Sequence, residues 1–102
     1  MNTLSDILNE RRKQIGRGFT LQHDLEHSLE EMASAAAAYL LNLAEIWPWE
    51  KSAFKPARDL GVAREDVIKA AAILLAAIDA EDAGVEAASK QALSQVNTPP
   101  DQ

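Results

Sequence analysis

Nine consecutive residues, "HDLEHSLEE" from His23 to Glu31, hold both histidines of the chain and four carboxylates. On a helix, side chains three and four apart share a face, so Asp24, His27 and Glu31 align, as do His23, His27 and Glu31. Imidazole nitrogens and carboxylate oxygens are metal donors, and this spacing puts two or three of them within reach of one ion. Asp66 and Lys69, three apart, offer a second group at the start of a later helical pattern. The opposing reading is a solvated helix face, because acidic residues near a helix start are favoured by the macrodipole. Glu26 and Glu30 fit that explanation best, with Glu30 the weaker candidate for activating a water. There is no HExxH and no cysteine pair, so no strong zinc signature is present.

Two further groups bear on chemistry. Trp47 and Trp49 flank Pro48, where aromatic rings either stack on a nucleobase or cap a core or an interface. Lys51, Lys55, Arg58 and Lys69 can steady a phosphate chain as point charges or forks. Lys69 is the best placed, since it shares a face with Asp66. "GRGF" reads as a turn with Phe19 tucked inward; as a phosphate loop it lacks the preceding strand.

These residues must be positioned by helices. Thr3 to Ile15 reads as a first helix, with a start resembling a capping box at Thr3 and Asp6 and an end at Gly16 and Gly18. A second is expected from Thr20 to about Ile46, roughly 39 Å if unbroken at 1.5 Å per residue. Its stripe is Leu21, Leu25, Leu29, Met32, Ala36, Tyr39, Leu40 and Leu43. Pro48 limits it, because the residue before proline is pushed from helical angles. A third helix from about Ala63 to Asp82 carries Val67, Ile68, Ala71, Leu74, Leu75 and Ile78. Beyond Gly84 a weak fourth helix and a frayed tail are expected. "SAAAAYLL", Ser34 to Leu41, is read as close helix packing or as the floor of a pocket. The pattern predicts an all-α bundle of three main helices over residues 1–83, completed by homo-oligomerisation, with residues 84–102 as weak helix and tail.

The length of 102 residues fits one domain with a modest core, and much of the 47% hydrophobic content is alanine. Ten Lys and Arg against 16 Asp and Glu give a net charge of −6, which argues against general nucleic-acid binding. Only Arg11, Arg12, Lys13 and Arg17 form a locally basic segment. With no cysteine, neither a disulfide framework nor a thiolate metal site is available. The N-terminal residues lack the apolar run of a signal peptide, and no stretch approaches a membrane span. A soluble cytoplasmic protein without membrane contact is the expectation.

The order "ERRKQIGRGFTLQHDLEH", "EEMASAAAAYL", "WPW" and "FKPARDLGVAREDVIKAAAILLAAID" resembles a group of small proteins of phages and mobile elements, over about Glu10 to Asp82. Many members of that group have no assigned activity. The chain is more distantly similar to the MazG-like all-α nucleotide pyrophosphohydrolases, in which one helix carries E-E-x-x-E and a later one E-x-x-D. Glu31 falls at the last glutamate and Asp66 at the aspartate, while His27, Ser28 and Ala63 stand where carboxylates are wanted. The resemblance implies metal-assisted attack of water on a nucleotide's phosphate chain, giving a monophosphate and pyrophosphate. It implies a divalent metal, magnesium or manganese, on Asp24, His27, Glu31 and Asp66, with Glu30 activating water. It also implies Lys69, Lys55 and Arg58 on phosphate, Trp47 and Trp49 on the base, and a homo-dimer or tetramer. His27 in place of a carboxylate favours a borderline metal such as manganese or zinc, or removes catalysis. The alternatives are a non-catalytic helical interaction protein, with Trp47 to Phe54 facing a partner, and a bundle stabilised by zinc or nickel on His23, His27 and Glu31.

Overall fold

Helix starts are set by side chains that occupy the orphan amides of the first turn. In the computed structural model, which describes residues 2–96, Asn2 caps α1 (Thr3–Gly16), its Oδ1 accepting from Ser5 N at 3.0 Å. The cap therefore lies one residue before the expected Thr3. Gly18, at φ +104°, supplies the left-handed residue that turns the chain out of α1.

The expected second helix is two helices. Thr20 caps α2 (Leu21–Leu25), and Ser28 then starts α3 (Leu29–Leu41) with a full capping box. Glu31 N donates to Ser28 Oγ at 3.0 Å, and Ser28 N donates to Glu31 Oε1 at 3.3 Å. Apolar periodicity runs through Glu26–Ser28, yet the reciprocal cap wins locally because it satisfies two amides that a continuing helix would have to bond elsewhere. α3 ends at Leu41, short of the expected Ile46. Asn42 takes the left-handed conformation at φ 50°, and its Nδ2 donates to Arg58 O at 3.0 Å and Gly61 O at 2.9 Å. Two single 3-10 turns, Ala44–Ile46 and Lys51–Ala53, carry the connection to α4 (Arg64–Val96). Gly84 does not interrupt α4; an internal glycine costs only about 1 kcal/mol. The tail from Asn97 lies outside the described residues.

The fold is all-α, with no strand among the described residues. α4 is its spine, and α1, α2 and α3 pack on it. The core joins Met32, Ala35, Ala36, Ala38 and Tyr39 of α3 to Ala70, Ile73, Ala76 and Ala77 of α4, with Trp47 closing one end. Alanine on both sides lets the two backbones approach closely, the close-packing reading of "SAAAAYLL". Five of the eight residues of the expected stripe face outward: Leu21, Leu25, Leu29, Leu40 and Leu43 are exposed. α1 is turned the other way from an ordinary surface helix, burying Glu10 and Gln14 while Leu4, Leu8 and Ile15 face out. The principal extents are 65 × 31 × 20 Å and the radius of gyration 17.3 Å, against ~13 Å for a compact domain of this length. Among the described residues no helix is long and apolar enough to cross a membrane.

Candidate functional site

All five aromatic residues and both histidines gather into one chain of rings. Phe19 meets His23 at 5.1 Å between centroids, His23 meets His27 at 4.6 Å, and His27 meets Trp49 at 5.0 Å. Trp49 then meets Trp47 at 5.2 Å, Trp47 meets Tyr39 at 5.5 Å, and Tyr39 meets Phe54 at 4.8 Å. Pro48 separates the two indoles and the backbone stays extended at Trp47. Trp47 is buried and its Nε1 donates to Glu50 O at 2.9 Å; Trp49 is half-buried. Of the core-capping and base-stacking alternatives, Trp47 takes the first, and Trp49 packs half-buried at the edge of the same core.

The carboxylates have separate partners. Asp24 is 1% exposed, with Oδ2 accepting from an Arg11 Nη at 3.2 Å and Oδ1 facing His23 Nδ1 at 3.0 Å. Glu31 Oε2 faces His27 Nδ1 at 2.9 Å and accepts from Trp49 Nε1 at 3.1 Å. An ionised carboxylate only accepts, so a bond from either ring to its acid needs the hydrogen on Nδ1; at His27 the same nitrogen also lies 3.2 Å from Trp49 Nε1, itself a donor. The His27 bond, then the Ser28 amide and the Trp49 indole, hold the Glu31 carboxyl below the usual range. Asp66, fully buried, accepts from Ala57 N at 2.9 Å and Ala63 N at 3.5 Å, and Lys69 Nζ lies 3.8 Å away.

Of the four residues expected on a metal, His27 and Glu31 are thus brought together, while Asp24 pairs with His23 and Arg11. Asp66 ties the start of α4 to the loop before it and shares no hydrogen-bonding partner with the other three. Among the described residues, no three His, Asp or Glu side chains are placed to hold one ion. Glu30 is exposed on α3. Lys55 and Arg58 are exposed in the connection, engaged through their backbones: Lys55 N donates to Tyr39 Oη and Arg58 O accepts from Asn42. Lys69 Nζ donates to Lys55 O at 2.7 Å and sits 5.4 Å over the Tyr39 ring.

A pocket enclosing about 500 Å³ of space open to solvent lies between α1 and the aromatic rings. Glu10, Arg11 and Gln14 of α1 and Arg17 just past its end line one side with Asp24 and Lys69, and Phe19, Tyr39, Trp47 and Trp49 line the other. Burial of Tyr39 raises its phenol above the ordinary value, so the hydroxyl stays protonated there. Arg11 and Arg17 were visible in the sequence only as a basic segment, and Glu10 not at all. The i, i+4 spacing of Glu10 and Gln14 was the available signal, a polar face opposite Leu4, Leu8 and Ile15. A second cavity sets Glu81 of α4, rather than Asp66, among the residues shared with Asp24 and His27. No family model, curated protein or solved structure matches the chain.

Proposed function

We propose that the protein binds a small ligand joining a planar ring to an anionic group, with a nucleotide the first candidate, in the pocket between α1 and the aromatic rings. The observation that supports this is the concentration of three cations, Arg11, Arg17 and Lys69, against four aromatic side chains in a chain of net charge −6. A ring laid on an indole or phenol gains roughly 1–3 kcal/mol per stacked base. The guanidinium groups supply planar forks for an anion. The MazG-like hydrolase reading is the stronger form of the same proposal. Magnesium bound with a nucleotide commonly needs only one or two carboxylates besides the phosphates, and Glu10 and Asp24 are the ones this pocket supplies.

Titration with a panel of dNTPs, with magnesium or manganese, followed by the fluorescence of Trp47 and Trp49, tests binding; analysis of the same mixtures for monophosphate and pyrophosphate tests turnover. A saturable fluorescence change that weakens in Lys69→Met is expected. No change with any nucleotide, in protein shown to be folded, overturns the ligand class, and binding without product reduces the proposal to a binding protein. The second reading, a non-catalytic helical interaction protein, is favoured by one specific feature, the outward turn of Leu4, Leu8 and Ile15 on α1.

A further inference from the structure

We infer that a second copy of this chain docks antiparallel on α4, along the seam Val67, Ala71, Leu74, Ile78 and Val85. The inference is independent of the ligand pocket. α4 has two apolar faces. Asp66, Ala70, Ile73 and Ala77 turn inward against the rest of the chain, whereas Val67, Leu74, Ile78 and Val85 are 46%, 41%, 57% and 58% exposed. The outward set recurs in alternating steps of four and three, with Glu81 at the one charged position before Val85. This is the a/d pattern by which helices pair.

The exposed end of α4 gives a second reason for a partner. From Gly84 to Gln91 every residue is exposed, roughly 12 Å of helix at 1.5 Å per residue. A helical stretch this short without tertiary packing is marginal in water.

Charge selects the occupant and its direction. After Ile78, α4 carries Asp79, Glu81, Asp82 and Glu86 against Lys90; before it, Arg64 and Lys69 balance Glu65 and Asp66. A parallel copy would lay acidic half on acidic half and place Glu81 against its equivalent within the seam. An antiparallel copy lays the acidic half on the balanced one. In the register that sets Val67 opposite Val85 of the second copy, Leu74 meets Ile78, Ile78 meets Leu74, and Glu81 meets Ala71. The pairing is self-complementary, as a two-fold interface requires. It also lays Val85 to Ala88 at the exposed end of each α4 against the start of the other copy's α4.

Sedimentation or light scattering over a concentration series is expected to show a dimer. Ile78→Glu, at a position exposed within one chain, should keep the helical circular dichroism and raise the dimer Kd by roughly a hundredfold or more. Because the chain contains no cysteine, orientation can be read by oxidative cross-linking. A mixture of Val67→Cys and Val85→Cys proteins should give a linked dimer, and Val85→Cys alone should not. A monomer at every concentration, unchanged association of Ile78→Glu, or self-linking of Val85→Cys would each overturn the inference. Nucleotide titration of Ile78→Glu keeps this outcome separate from the pocket's.

Discussion

Where α3 meets α4, in the most extensive of the helix contacts, the side chains are small and apolar, Ala35, Ala36 and Ala38 from one helix and Ala70, Ala76 and Ala77 from the other. Where α1 meets the same helix it brings buried Glu10 and Gln14, and Gln14 Nε2 donates to Lys69 O at 3.3 Å. The first contact gains from close approach of two backbones and leaves no room. The second ties α1 to α4 through Gln14 and to α2 through the Arg11–Asp24 pair, and the pocket lies beside it. Dispersion and burial make the first contact stable; the second depends on charges staying paired, since an unpartnered buried charge is costly. One spine helix therefore supports a structural side and a candidate binding side.

Breaking the ion pair should give the largest effect. Arg11→Met leaves Asp24 buried with His23 alone, and a loss of about 3–5 kcal/mol in denaturant unfolding is expected. The double variant Arg11→Met/Asp24→Leu should recover most of it, because paired removal of buried charge is close to neutral. If the double variant is no better than the single, the α1 contact is held by something other than the pair. On the dry side, Ala38→Leu adds methylenes where exposure is 0%, and about 1–3 kcal/mol should be lost as the helices are pushed apart. Equal tolerance at Ala38 and at exposed Ala33 would erase the distinction between the two sides.

How far the sequence foretold this difference varies by element. The helical class was legible from three- and four-residue steps, but the inward face of α4 was not: of the expected Val67, Ile68, Ala71, Leu74, Leu75 and Ile78, three are exposed, and Ala70, Ile73, Ala76 and Ala77 face the core instead. The break at Ser28 was also written in the chain, as S-x-x-E from Ser28 to Glu31, but the apolar rhythm continues across it and masked the cap. That oversight bears directly on the candidate site. Glu31 and Asp66 both stand at the third residue of a helix and bond back to the amide at its start, so two of the expected metal ligands are occupied in capping. The convergence of Arg11, Arg17, Lys69 and the tryptophans was not legible, because it depends on which face α1 turns inward. Apolar burial, the usual guide, points the wrong way for that helix.

The smallest effect expected is a pH dependence on neither contact but at the α2–α3 turn. The folded Glu31 carboxyl is held below its ordinary value of 4.5, chiefly by the bond from His27. Its contribution is fully present above the unfolded value and is lost as pH falls through the lower folded value. Stability measured from neutral pH down through the carboxylate range should therefore slope less steeply in Glu31→Gln than in the natural chain. Parallel slopes would show that the capping box and its histidine do not hold the proton equilibrium.

Asn42 carries a separate consequence. Its amide joins the end of α3 to Arg58 and Gly61, on the far side of a connection that includes both tryptophans. A disulfide across the same span would act largely on the unfolded chain, whereas this clasp exists only once the protein has folded. The entropy of closing the loop rises by only about 0.6 kcal/mol for each doubling of its length. With both ends held by one residue, exposed stretches of the chain between them can be lengthened in design, while Trp47, which closes the core, and Trp49, which lines the pocket, have to stay.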